Sequence, residues 1–202
     1  MTSVPAAEPA MRALRVIEDE HRSLAAVLHG LLYIVREIRL RGAEPDFELL
    51  GAMLFYIDAF PERFHHPKED AHLFRCLRLR DPASARLLDR LEGEHREGTK
   101  RIADLNKALE RYQREGIDAF GSFAQQVAEF ANFHWEHMRA EEQDVLPRAR
   151  RHLLAADWAE IDAAFADNDD PLLGANARDN YRQLFRKIVN LAPPPLGVGP
   201  AR

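Results

Sequence analysis

Apolar residues recur at every third or fourth position along most of this chain, and that period constrains the fold more than any other feature. It gives each stretch one apolar face when the chain is helical, and no strand pattern competes. The first stripe is Leu14, Ile17, His21, Leu24, Leu28, Leu31, Val35 and Ile38, and the third is Leu88, Leu91, His95, Gly98, Ile102, Leu105, Leu109 and Tyr112. The second carries Phe47, Leu50, Leu54 and Ile57, and the fourth Phe120, Phe123, Val127, Phe130, His134, His137, Glu141 and Val145. Four such helices joined by short turns predict an all-α, up-down-up-down four-helix bundle.

Helix-breaking and capping residues mark where these helices begin and end. They are Gly42 after the first helix, Asp81-Pro82 before the third and Gly116 after it. Pro61 and Pro67 fall inside the second helix, so a kink or an interruption is predicted between them. The last apolar position of the fourth stripe, Val145, comes before Pro147.

The chain continues well past the fourth stripe, which predicts an addition to the bundle. We expect a flexible N-terminus (1–10), the bundle (11–150), an extension of one or two helices packed on it (151–191) and a flexible Pro/Gly tail (192–202). The last helix of that extension has an apolar side running from Tyr181 to Leu191. This helix is expected to dock on the bundle, and the alternative is that it forms a homodimer.

Composition limits the partners and the compartment. A net charge of −5 and a pI near 6.0 give no basic surface for nucleic acid or an anionic membrane. The single cysteine, Cys76, excludes an internal disulfide and indicates a reducing compartment. The first ten residues do not read as a signal peptide, and no apolar run approaches the roughly 20 residues of a membrane span. The expected location is therefore cytoplasmic.

Polar residues occupy stripe positions that a helical bundle reserves for apolar side chains. They are His21 on the first helix, His95 on the third, and His137 with Glu141 on the fourth. Each buried polar group without a partner costs about 1–3 kcal/mol, a large share of a domain's stability of about 5–15 kcal/mol. A bound metal ion would satisfy such groups, since neutral imidazole and carboxylate are its usual ligands.

The second helix offers a further pair, but in two registers. His65 and Glu69 are four residues apart and share a helix face, and so do His66 and Asp70. Four residues before His66 stands Glu62, whereas the neighbours of the other pair at that spacing include apolar residues. The face of His65 and Glu69 is therefore the drier one, and we predict that this pair points into the bundle.

The four helices together supply six candidate ligands: His21, His65, Glu69, His95, His137 and Glu141. Six are too many for one tetrahedral ion but suit two ions about 3.5–4 Å apart that share the carboxylates. Nitrogen and oxygen ligands without thiolate favour iron or manganese over a structural zinc. His134 is a further ligand, a donor to a ligand, or a hydrogen-bonded core histidine.

These segments, in this order, resemble a known family. They are Glu-Asp-Glu-His ending at His21, His65-His66-Pro67-Lys68-Glu69-Asp70, Glu-His-Arg-Glu-Gly around His95, and His137-Met138-Arg139-Ala140-Glu141-Glu142. Over roughly residues 12–150 the chain resembles the hemerythrin-like HHE cation-binding proteins. The resemblance implies a hemerythrin-like bundle and two non-haem iron ions (Fe²⁺/Fe³⁺), oxo- or hydroxo-bridged, with manganese or zinc as substitutes. It also implies the same six ligands, with both glutamates bridging.

The chain departs from the oxygen carriers of that family. They have a second histidine four residues after the helix-three histidine, where this chain has Thr99. Two His-x-x-x-Glu pairs are closer to a branch linked to iron–sulfur repair, but the cysteine-bearing segment of that branch is missing here. The resemblance therefore implies binding or sensing of dioxygen, nitric oxide or peroxide, or iron handling, and leaves turnover open.

Two alternatives to this function come from the residues themselves. Glu18, Glu62 and Glu92 each stand three residues before a candidate histidine, the spacing found in ferritin-like di-iron carboxylate oxidases. The helices after residue 155 could instead make the protein a metal-responsive interaction module.

Overall fold

The computed structural model describes residues 11–166, and within them the chain forms five helices and no strand. Short connections join successive helices, so neighbours run antiparallel and the first four form a bundle. None of these helices has the length and apolar character needed to cross a membrane. The helices are α1 (Arg12–Arg41), α2 (47–80), α3 (Ala85–Glu115), α4 (117–152) and α5 (Ala155–Phe165).

The ends of the helices follow the capping residues in the sequence. Gly42 takes a φ of 64° and donates its N–H to the last carbonyl groups of α1, a conformation that favours glycine. Asp46 caps α2 by accepting a hydrogen bond from the Leu49 N–H at 3.0 Å. A short 3₁₀ turn, Pro82–Ser84, leads into α3, and Gly116 separates α3 from α4.

Helices α2 and α4 contain π-helical stretches, in which the backbone hydrogen bonds span five residues instead of four. In α2 they are Asp58–His65 and Glu69–Phe74, and in α4 Glu141–Val145. The His66 N–H, for example, donates to the Pro61 carbonyl, and the Leu146 N–H donates to the Glu141 carbonyl.

These wide turns accommodate the prolines of α2 and α4. Of the kink or interruption predicted between Pro61 and Pro67, the interruption is absent, because the helix stays continuous and widens there. The fourth helix runs through Pro147 to His152. Proline has no N–H, so the carbonyl four residues before it lacks its α-helical partner. In a π turn that carbonyl can accept a hydrogen bond from the N–H five residues on instead.

Two apolar clusters fill the bundle. The larger, which we call the upper cluster, includes Leu28, Leu54, Ile102 and Phe123. The lower cluster lies toward the start of α1 and the end of α4, and includes Ile17, Leu73, Leu91, Val145 and Trp158.

Helix α5 packs on the lower cluster through Trp158, Ile161 and Phe165. Asp162 accepts a hydrogen bond from the Ala13 N–H at 2.8 Å, which ties α5 to the start of α1. The second helix predicted for the extension (Tyr181 to Leu191), the N-terminal segment 1–10 and the tail 192–202 lie outside the described residues.

Candidate metal centre

A layer of imidazoles and carboxylates separates the two apolar clusters. Every bundle helix crosses it; α1, for example, has Ile17 in the lower cluster, His21 in the layer and Leu24 in the upper cluster. The structure brings together all six candidate ligands from the sequence, and each is 5% exposed or less. We call them the metal layer: His21, His65, Glu69, His95, His137 and Glu141.

The first candidate metal position lies between α1 and α2. The Nε2 atoms of His21 and His65 face each other at 3.3 Å. His65 Nε2 is 3.3 Å from Glu69 Oε1, and His21 Nε2 is 3.3 Å from Glu141 Oε2. Ligand atoms of His21, His65 and Glu69 thus lie within 4.8 Å of one another, and Glu141 approaches this group at His21.

The second candidate position lies between α3 and α4. The Nε2 atoms of His95 and His137 face each other at 3.0 Å. The other oxygens of the same two glutamates approach them: Glu69 Oε2 is 3.6 Å from His95 Nε2, and Glu141 Oε1 is 3.2 Å from His137 Nε2. Each glutamate therefore turns one oxygen to each position, as a bridging carboxylate does.

The atoms around these positions form a donor set that fits a metal ion. Both carboxylate oxygens of Glu69 and both of Glu141 are buried and accept no hydrogen bond from any residue in the described part of the chain. Paired imidazole nitrogens and orphaned carboxylate oxygens in a dry layer would be costly without a cation between them. The only cysteine of the chain, Cys76, lies in the lower cluster, so the donor set is nitrogen and oxygen.

A second set of carboxylates orients the imidazoles. Each of the four histidines donates its Nδ1–H to a carboxylate of a neighbouring helix, which leaves Nε2 free to bind a metal. A carboxylate of α1 orients the histidine of α2, one of α2 orients that of α3, one of α3 orients that of α4, and one of α4 orients that of α1. The four carboxylate–histidine pairs thus form a closed ring around the bundle. The pairs are Glu20 with His65 at 2.6 Å, Asp70 with His95 at 2.8 Å, Glu94 with His137 at 2.9 Å, and Glu142 with His21 at 3.0 Å.

Sequence reasoning missed these four orienting carboxylates, although the sequence itself contains a signal for them. Each is adjacent in the chain to a metal-layer residue: Glu20 to His21, Asp70 to Glu69, Glu94 to His95, and Glu142 to Glu141. Only the arrangement of the helices shows that each one serves the neighbouring helix.

The electrostatics of the layer favour protonated imidazoles when no metal is bound. Burial lowers the pKa of each imidazole, but the nearby carboxylates outweigh it and raise the pKa of His21 and of His65. The same balance raises the pKa of His95 to about 9 and that of His137 to about 10. Burial would raise the pKa of Glu141, yet the positive charge that His137 carries when protonated holds that pKa well below its ordinary value.

Three more buried polar residues lie beside the layer, and we call them the side cluster: Glu62, His66 and His134. Sequence reasoning put Glu62 and His66 on the wetter face of α2, and this is wrong: they are 5% and 4% exposed. Burial and the charge of nearby histidines lower the pKa of His134 to about 3 and that of His66 well below its ordinary value. Burial raises the pKa of Glu62 to about 7. The face of α2 turned to the bundle is wider than an α-helical period predicts, because α2 includes π turns on both sides of His66.

Two of the three glutamates that suggested a ferritin-like site lie away from the layer. Glu18 pairs with Arg150 at 2.9 Å, and Glu92 pairs with Arg78 at 2.7 Å, so both take part in ion pairs away from the layer. Of the three glutamates at that spacing, only Glu62 is buried beside the layer.

Comparison with known proteins gives one match. The family model described as the hemerythrin HHE cation binding domain matches residues 12–149, more than half of the 202-residue chain. The matched stretch contains the whole metal layer. Neither the curated proteins nor the solved structures gave a match.

Proposed function

The chain belongs to the hemerythrin family of HHE cation-binding domains, and from that premise we propose that its metal layer is a non-haem di-iron centre that binds dioxygen, nitric oxide or peroxide. One observation carries the proposal: Glu69 and Glu141 each divide their two oxygens between two pairs of imidazole nitrogens. That arrangement supplies two metal positions that share both carboxylates.

The donor set supports iron. Imidazole nitrogen and carboxylate oxygen together suit iron and manganese, and a structural zinc site would be closed by four ligands around one ion. The charge of the layer supports two divalent ions. Six carboxylates, two bridging and four orienting, surround four imidazoles, and two divalent ions would balance most of that negative charge.

The residues of this chain hold and shield the metals. His21, His65, His95 and His137 present Nε2, and the hydrogen bonds of their Nδ1 atoms fix the ring orientation and tautomer. The apolar clusters on both sides keep water out. Bound iron supplies a change of oxidation state and coordination positions that the protein leaves unfilled.

Burial limits which molecule can reach the centre. No residue of the metal layer is more than 5% exposed, and Phe165 of α5 lies edge-on to the His65 ring with 6.2 Å between centroids. A bulky or multiply charged substrate has no room to reach the imidazoles. A diatomic molecule or peroxide is small enough to pass through a packed interior during its fluctuations.

Anaerobic loading with ferrous iron tests the proposal. We expect two iron ions per chain by elemental analysis, and charge-transfer absorption bands after exposure to dioxygen, nitric oxide or peroxide. The Glu69→Ala and Glu141→Ala variants should lose iron, whereas the matched variants Glu18→Ala and Glu92→Ala should retain it. A native chain that holds no iron after loading contradicts the proposal, and loss of iron in the Glu18 or Glu92 variants would favour a ferritin-like site.

A further inference from the structure

The side cluster is buried, polar and used by none of the functions above. Glu62 lies between the two histidines of the cluster: its Oε2 is 3.6 Å from His66 Nδ1, and its Oε1 is 3.5 Å from His134 Nε2. His66 Nδ1 and both ring nitrogens of His134 have no hydrogen-bond partner among the described residues. Groups of this kind persist in a core when a ligand or metal completes them.

The glycine at position 98 of α3 leaves space for the Glu62 carboxylate. A Cβ atom at Gly98 would lie 2.8 Å from Glu62 Oε1, so any larger residue there would displace the carboxylate. The hydroxyl of Thr99 donates to Glu62 Oε2 at 3.2 Å, which fixes the carboxylate in that space. Gly98 and Thr99, which are adjacent on α3, thus position Glu62 against His66.

His66, but not His134, also reaches the second metal position. A ligand atom of His66 lies within 4.8 Å of ligand atoms of Glu69, His95 and His137. Its ring stacks on that of His95, with 4.3 Å between centroids and 9° between planes. His134 lies farther out, with 6.2 Å between its ring centroid and that of His66.

Glu62 faces His66 as the orienting carboxylates face the other four imidazoles, although it lies four residues earlier on the same helix. In each case a carboxylate faces Nδ1. The separation of 3.6 Å for His66 exceeds hydrogen-bond distance, and a small movement of the ring toward Glu62 would close it.

We propose that His66 is a seventh protein ligand, a third imidazole at the second metal position that Glu62 orients. The inference rests on the proposed di-metal function. It makes the two positions unequal: the first has two imidazoles and two carboxylate oxygens, and the second has three imidazoles and two carboxylate oxygens. Two ions bound there differ in coordination number and in affinity.

Cobalt binding to matched histidine variants tests the proposal, since Co²⁺ absorption reports coordination number. His66→Ala is the test and His134→Ala is the control, because both remove a buried imidazole that contacts Glu62. In the native chain we expect two bound ions of different affinity. His66→Ala should weaken one of them at least tenfold, and millimolar imidazole should restore it; His134→Ala should leave both unchanged.

A measurement on the native chain covers the case in which His66→Ala fails to fold. In the Co²⁺-loaded protein, each coordinated imidazole gives one exchangeable, hyperfine-shifted N–H resonance in the proton NMR spectrum. Five such resonances are expected, and four would overturn the inference. Native-like binding of both ions by a folded His66→Ala chain would also overturn it while leaving the di-metal proposal intact, whereas a native chain that binds no metal ion defeats both.

Discussion

The metal layer and the apolar clusters above and below it are both buried, but they differ in whether their side chains find partners within the protein. The clusters are complete, because each apolar side chain finds its partners in neighbouring helices. The layer is incomplete, because the four oxygens of Glu69 and Glu141 accept no hydrogen bond from the residues that the structure describes. The clusters should therefore stabilise the bundle equally with and without metal, whereas we expect the layer to stabilise it fully only when cations are bound.

The largest expected effect comes from pH and concerns the layer alone. The pKa values of His95 and His137, about 9 and about 10, mean that a metal ion entering the second position must displace two protons at neutral pH. Raising the pH removes that competition. The affinity of this position should rise about hundredfold per pH unit, or about 10⁴-fold from pH 6 to 8, equivalent to about 5.5 kcal/mol. Titration with Co²⁺ at each pH measures it, and an affinity that does not change with pH contradicts it.

A large truncation in the upper cluster should act without regard to metal. Phe123 is fully buried and stacks on Tyr112, so Phe123→Ala should lower the free energy of unfolding by about 3–5 kcal/mol. Denaturant unfolding of metal-free and metal-loaded protein should show the same loss. Phe55→Ala is the control, since that side chain is 55% exposed and its truncation should change stability by less than about 0.5 kcal/mol. A loss that depends on metal would break the separation between layer and cluster.

Metal loading, unlike a truncation in the upper cluster, should change the stability of the chain through the layer. At a free metal concentration one hundred times the Kd, each occupied site should stabilise the folded chain by about 2.7 kcal/mol. The melting temperature measured with and without a chelator reports this gain. In the His137→Ala variant the gain should fall by roughly the share of one site, and equal melting temperatures in the native chain would show that the layer is complete without metal.

The smallest effect concerns the carboxylates that orient the imidazoles. Neutralising one of them, as in Glu20→Gln, should weaken metal binding about 10–100-fold, or about 1.4–2.7 kcal/mol. The buried Glu20 should lie at the upper end of that range and Glu142, 48% exposed, at the lower end. The exposed Glu129 provides the control variant Glu129→Gln. Equal losses in all three variants would show that the effect is one of general charge.

The helices that stay regular were the easiest to predict. Helices α1 and α3 are α-helical throughout, and the stripes predicted for them match their buried faces, including His21 and His95. The all-α bundle and the family resemblance are confirmed. Periodicity works there because each residue adds the same rotation along an unbroken α-helix.

Helix α2, with two π stretches, was predicted less well than α4, whose predicted stripe is buried as far as Glu141 and Val145. In α2 the buried side includes Glu62 and His66 as well as His65 and Glu69, so an α-helical period placed two of the four on the wrong face. A π turn adds a residue to the turn and shifts the phase of all that follows. No local pattern in the sequence announces that shift, apart from the prolines near it.

The sequence by itself determined that four amphipathic helices would form, and that imidazoles and carboxylates would interrupt their apolar faces at matching depth. Those features depend on the order of residues along one helix, where spacing sets direction. Only the tertiary structure decided which carboxylate orients which imidazole, how Glu69 and Glu141 divide their oxygens, and that Glu62 and His66 are buried. Each of these depends on distances between helices, which arise when the apolar clusters pack and fix the rotation of one helix against the next.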